Sequence, residues 1–158
     1  MFIIFVFIAG TYQFENASRN IAQNKEVNLT IPFKLTGEII KDGLIDVNNK
    51  NYLDVLDELQ RNLDKYQERE IKIEGFVFKD KSFNKNQFVV ARMLITCCAA
   101  DAQIIGLMVE GDYNVKENEW VRVEGVINKG VYNGDIIPII RSKSVKLIEK
   151  PKEEYIYP

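Results

Sequence analysis

The sequence predicts a mostly β fold, a small OB-like barrel carrying one amphipathic helix, with a β-sandwich as the alternative. Three observations predict it. Apolar residues alternate with polar ones in several short runs after residue 70, which is the period of a half-buried strand. Residues 52–66 alone have a helical period, so there is no repeated strand–helix–strand pattern and no doubly wound sheet. Asn133-Gly134 stands between two such runs and is a strong two-residue hairpin signal.

The elements follow in order. Residues 1–9, MFIIFVFIA, are wholly apolar, but far short of the ~20 residues a spanning helix needs. We expect 1–10 to be a membrane or signal remnant, or the tail of a longer spanning segment; an internal strand is the alternative. Residues 11–28 are polar and Asn-rich and suit a linker or arm. A single domain is expected over 29–158. It opens with a short strand at 28–34, placed at an edge by Pro32, and a turn at Lys41-Asp-Gly43.

In the helix at 52–66, Leu53, Leu56, Leu59, Leu63 and Tyr66 share one face, and Leu56, Leu59 and Leu63 should be buried. Strands are expected at 71–78, 88–96, 104–109, 120–127, 125–131, 135–140 and 145–148. Residues 80–86 make a turn or a short helix. At the end, 149–154 is charged, and Tyr155-Ile-Tyr-Pro158 either docks on the domain or frays.

Composition narrows function. The chain has 158 residues, 46% apolar and 28% charged, with 21 basic against 23 acidic residues and a net charge of -2. That balance argues against nucleic acid as a partner. Histidine is absent, which removes the commonest neutral-pH base and any Ser-His-Asp or Cys-His site within this chain. Phosphate loops, dinucleotide fingerprints, calcium loops and metalloprotease helices are missing as motifs.

The chemistry that remains is concentrated in Thr96-Cys97-Cys98-Ala99-Ala100-Asp101-Ala102. Adjacent cysteines cannot clip distant loops, and a disulfide between them would close a strained ring. If 88–98 is extended, Val89, Ala91, Met93, Ile95 and Cys97 share one face, expected to be the core face, with Cys97 a small buried hydrophobe. Arg92 and Cys98 then share the other. A charge inside an apolar strand needs a partner, and Asp101 is the candidate if the chain turns after Cys98; Arg92 would also favour a Cys98 thiolate. The candidate site is therefore Cys97, Cys98, Asp101 and Arg92. Cys97 and Cys98 with nearby carboxylates such as Asp101 and Glu110 suit a soft metal ion better than calcium, although a closed zinc site wants four protein ligands, and a partner chain could supply those missing. An enzyme reading would rest on Cys98 alone and is the less favoured one, so no catalytic residue is assigned. Phe76, Phe78, Phe88 and Trp120 are candidates either for core packing or for stacking platforms.

The run FNKNQFVVARMLITCCAADAQIIGLMVE, residues 83–110, closely resembles the C-terminal domain of the bacterial family of YcgQ-like proteins, the domain of unknown function 1980. The resemblance reaches back through Ile73-Glu-Gly-Phe-Val77 to the helix at 52–66. It runs forward through Glu119-Trp-Val-Arg-Val-Glu-Gly125 and Tyr132-Asn-Gly-Asp135 to Tyr155-Ile-Tyr-Pro158, covering about residues 30–158. It implies a membrane-linked protein, with transmembrane segments ahead of this domain and a permease subunit as partner. This chain departs from that pattern in having only the short run 1–9 at its front. The functional expectation is a non-enzymatic accessory or binding domain of a membrane-associated permease system, with the domain extracytoplasmic. A soluble cytoplasmic fragment is the alternative location. The competing functions are an OB-type binding module for oligomers or polysaccharide, and a thiol-based soft-metal or redox domain.

Overall fold

The computed structural model describes residues 43–158, so the expected apolar segment 1–10, the arm 11–28 and the strand at 28–34 lie outside the described residues. The elements are β1 (Ile45–Asp46), α1 (Tyr52–Arg61), α2 (Leu63–Tyr66), β2 (Glu70–Phe78), β3 (Gln87–Leu94), a one-turn 3-10 helix (Ala99–Asp101), β4 (Gln103–Glu110), β5 (Trp120–Tyr132), β6 (Asp135–Leu147) and β7 (Tyr155–Ile156).

The single helix expected at 52–66 is two short ones. Asn62 leaves helical geometry, at φ -124° and ψ 37°, and its side chain donates to the Glu58 carboxylate. Asparagine favours such local bonds over a helix interior. Leu56, Leu59 and Leu63 nonetheless face inward as the spacing requires. Each buried leucine stabilises the fold by roughly 1.5–3 kcal/mol.

Asn133 and Gly134 form the hairpin turn between β5 and β6, both with positive φ. That conformation matches the strand twist and is cheap only for such residues. The two strands run thirteen residues each, with an irregularity between Glu124 and Gly125. They are longer than the runs predicted, which split each of them in two.

All seven strands belong to one mixed sheet in the order β1-β2-β5-β6-β4-β3-β7, and β2 also pairs with β3. The result is ring-like, but the expected small OB-like barrel with one helix is corrected. Three residue pairs hold β2 to β3, three parallel pairs hold β4 to β6, and the two-residue strands β1 and β7 add parallel to β2 and β3. The sandwich alternative is corrected as well, because the strands do not divide into two sheets. Two-residue strands carry no readable period, and parallel seams join segments far apart in sequence, so neither was visible to pattern reading.

The main core collects Ile71, Ile73 and Val77 of β2, Phe88, Val90 and Leu94 of β3, Val121, Val123 and Ile127 of β5, and the helical leucines. A second cluster holds Phe78, Val89, Ala91, Met108, Ile137 and Ile139 on the opposite side. The face of β3 expected to meet the core therefore meets this smaller cluster. The main core takes the face that also carries Arg92. Uniform apolarity does not identify the core side of a strand buried on both faces.

Candidate functional site

After Leu94 the chain leaves β3 and bends. Cys98 stays extended, at φ -158° and ψ 168°, and the one-turn helix Ala99–Asp101 follows. Asp101 closes this bend. Its backbone N–H donates to the Cys98 carbonyl oxygen at 3.1 Å. Its carboxylate accepts backbone N–H bonds from Cys97 at 2.9 Å and from Thr96 and Cys98 at 3.3 Å each. An aspartate that accepts several main-chain donors fixes a turn in this way.

The bend brings the adjacent cysteines together. Their Sγ atoms lie 3.8 Å apart, both thiols are free, and both residues are exposed. One ligand atom from each of Cys97, Cys98 and Asp101 falls within 4.8 Å of the others, so the three residues could hold a metal ion. The expected burial of Cys97 is thus corrected. The strand ends at Leu94, so strict alternation does not extend to the cysteines.

The electrostatics are those of crowded acids. The Asp101 carboxylate beside its thiol, with Cys98 adding to it, pushes the Cys97 pKa up to about 11. The same contact with Cys97 holds the Asp101 carboxyl below its ordinary value, and the three backbone donors act in the same direction. Neighbouring negative charge disfavours a thiolate; hydrogen bonds to a carboxylate favour its charged form.

Arg92 does not join this group. It is 4% exposed, on the main-core side of β3. Nε donates to the Glu154 carbonyl oxygen at 3.1 Å, and Nη2 donates to the Glu153 carbonyl oxygen at 2.5 Å and to Asn49 Oδ1 at 2.9 Å. Its guanidinium carbon lies 5.2 Å from the Trp120 ring centroid and 6.0 Å from that of Tyr52. The partner expected for Arg92 was Asp101; the observed partners are carbonyl oxygens of the C-terminal segment and an asparagine ahead of α1. The sequence signal, a charge inside an apolar strand, correctly demanded a partner. It could not identify one 43 or more residues away. Beside Arg92 opens a cleft of about 510 Å³ walled by Asp46, Lys72, Glu74, Asn49 and Glu153. Sequence reasoning missed this cleft.

Of the four aromatics considered for stacking, two are core residues and two are half-buried. Phe78 and Phe88 are buried, and Phe76 meets Trp120 edge-to-face at a centroid distance of 6.0 Å. With the OB-like barrel gone, the argument for an oligomer- or polysaccharide-binding module loses its support from the fold. Among the described residues, no helix is long and apolar enough to cross a membrane.

The family model described as the DUF1980 C-terminal domain matches residues 22–158. The UPF0703 protein YcgQ of Bacillus subtilis is 32% identical over 93 residues, which is 56% of this chain and 33% of that protein. A Streptococcus mutans protein named "Putative two-component membrane permease complex subunit" is 27% identical over 140 residues, 86% of this chain and 49% of that one. The chain thus spans from a third to a half of the length of these relatives. Among solved structures, the N-terminal domain of PriB protein from Thermoanaerobacter tencongensis is similar at a TM-score of 0.33 and 13% identity, over 51% of this chain and 96% of that one. A likeness that slight carries no inference.

Proposed function

This chain belongs to the DUF1980 C-terminal domain family, and on that premise we propose that it is a non-enzymatic accessory domain of a membrane-associated permease system. The observation that carries this reading is the match to the streptococcal permease-complex subunit, which takes in 86% of the chain. The apolar composition of residues 1–9 supports attachment near a membrane, with the domain on the extracytoplasmic side. The domain acts by binding. Its cysteines and the side of Asp101 that meets solvent are offered at the surface, where a partner subunit can reach them.

The test uses the full chain with an affinity tag, produced in its own host. Detergent-solubilised membranes are passed over the affinity resin and the retained proteins identified by mass spectrometry. A polytopic membrane protein should co-purify. In intact cells, a membrane-impermeant maleimide should label Cys97 or Cys98. A chain found wholly in the cytosolic fraction, unlabelled in intact cells and free of any membrane protein, overturns the proposal.

A further inference from the structure

We propose that Cys97, Cys98 and Asp101 form an exchangeable surface site for zinc(II), with three protein ligands and the fourth position open to solvent. The inference rests on the geometry of the bend alone and is independent of the permease reading.

The sulfur separation suits a tetrahedral ion such as zinc(II). Zinc–thiolate bonds of ~2.3 Å to two sulfurs 3.8 Å apart subtend an angle of about 111° at the metal, close to tetrahedral. A linear two-thiolate ion would require sulfurs two bond lengths apart, roughly 4.6 Å at the same bond length. A disulfide would require ~2.05 Å. The observed spacing fits neither, and calcium does not choose sulfur donors.

Asp101 supplies the third ligand. An ionised carboxylate has about four lone-pair positions, and three backbone N–H groups occupy three of them. The remaining position meets the Cys97 thiol and is freed when that thiol gives up its proton to bind a metal, on a group already within 4.8 Å of both sulfurs. The three N–H bonds also fix the carboxylate in place, the orienting role that outer-shell hydrogen bonds play at metal sites. Charge points the same way. Among the described residues, no lysine or arginine forms an ion pair with Asp101. Closed structural zinc sites have four protein ligands, whereas sites that exchange or react keep one position open. Ala100 beside the site is exposed and small, so a ligand from another molecule can approach.

The test is cobalt(II) titration of the full reduced, metal-stripped chain, followed by displacement with zinc(II). One cobalt per chain should bind, with a thiolate-to-cobalt charge-transfer band and the intense visible bands of a tetrahedral site. One equivalent of zinc should remove both. Cys97→Ser and Cys98→Ser should each diminish the charge-transfer band, and the double variant should abolish it. Asp101→Asn should retain the band while weakening affinity. Zinc-edge X-ray absorption on the unsubstituted chain gives a readout that does not depend on how Asp101→Asn folds. It should show two sulfurs with lighter ligands. Sub-stoichiometric binding, a pale octahedral cobalt spectrum, a zinc shell without sulfur, or unchanged binding in the Cys97→Ser/Cys98→Ser double variant would overturn the site. None of these results bears on whether a permease co-purifies.

Discussion

Arg92 donates through Nη2 to Asn49 Oδ1 at 2.9 Å, tying the middle of β3 to the turn that leads into α1. Asn49 in turn donates through Nδ2 to the Glu153 carboxylate at 3.0 Å. Arg92 reaches the Glu153 and Glu154 carbonyl oxygens directly. These bonds converge just ahead of β7, which pairs with β3 at Met93 and Leu94. The buried guanidinium thus holds three segments of the chain together, and charge-assisted bonds of this kind are the stronger ones.

Arg92→Ala should therefore loosen the C-terminal segment first. Loss of a buried donor leaves its acceptors unsatisfied at about 1–3 kcal/mol. Urea unfolding should show a loss of that size, and limited proteolysis should cut earlier around residues 149–154. Arg92→Lys should recover only part, because an ammonium cannot reproduce the guanidinium fork. Equal protease resistance in wild type and Arg92→Ala would contradict this role.

Leu59→Ala should cost roughly 2–5 kcal/mol. Leu59 is fully buried, at 0% exposure, in the main core between α1 and the sheet. Leu53 on the same helix is only partly buried against that core, so Leu53→Ala should cost less. Denaturant midpoints of the two variants, measured side by side, test the ranking.

The helix could be located from residues alone because one face repeats Leu56, Leu59 and Leu63, and burial follows that repeat directly. The hairpin could be located because Asn133-Gly134 supplies two positive-φ positions. Cys97, Cys98 and Asp101 were legible as candidates, on the condition that the chain bends after the strand, but the sequence also offered Glu110 as a ligand and Arg92 as the partner of Asp101, and the structure gathers only the first three. What escaped is non-local. The place of Arg92 depends on carbonyls 61 and 62 residues away, the ring depends on short seams, and β1 and β7 have two residues each. Local pattern contains none of that information. The exposure of Cys97 escaped for a different reason: alternation was extended past Leu94, where pairing ends.

Tyr52 should make the protein alkali-sensitive. It is 1% exposed, and burial raises its pKa far above the ordinary value of 10, with Arg92 opposing the shift. Above pH 10 the unfolded chain releases this proton while the folded chain keeps it. The unfolded state then binds fewer protons, so the stability of unfolding falls as pH rises, and the contribution is fully present below that value. Tyr52→Phe removes the effect. Its cost at neutral pH should be small, about 1 kcal/mol or less, because the hydroxyl's acceptor, the Ile105 carbonyl oxygen, is 3.5 Å away. Urea melts at pH 8 and pH 11 should show a smaller alkaline loss in Tyr52→Phe than in wild type. Some loss should remain, since the Tyr66 pKa is also raised. Identical alkaline losses in the two proteins would refute the assignment.

Cys97 should be a slow thiol in the metal-free protein despite its exposure. Alkylation requires the thiolate, and Asp101, followed by Cys98, pushes the Cys97 pKa from 9.0 to about 11. Its alkylation by iodoacetamide should be slow at pH 7 and rise through pH 9 to 11, roughly tenfold per pH unit below the pKa. Site-resolved mass spectrometry follows Cys97 separately in the intact two-thiol chain. Asp101→Asn removes the negative charge, so the whole profile should move to lower pH and alkylation at neutral pH should accelerate. Burial as the cause of slowness predicts something else: denaturant would release the thiol, and Asp101→Asn would change nothing in the folded protein. Rapid modification of wild-type Cys97 at pH 7 would show that Asp101 does not hold the proton on sulfur, and that the bend is looser than its three backbone N–H bonds to the carboxylate imply.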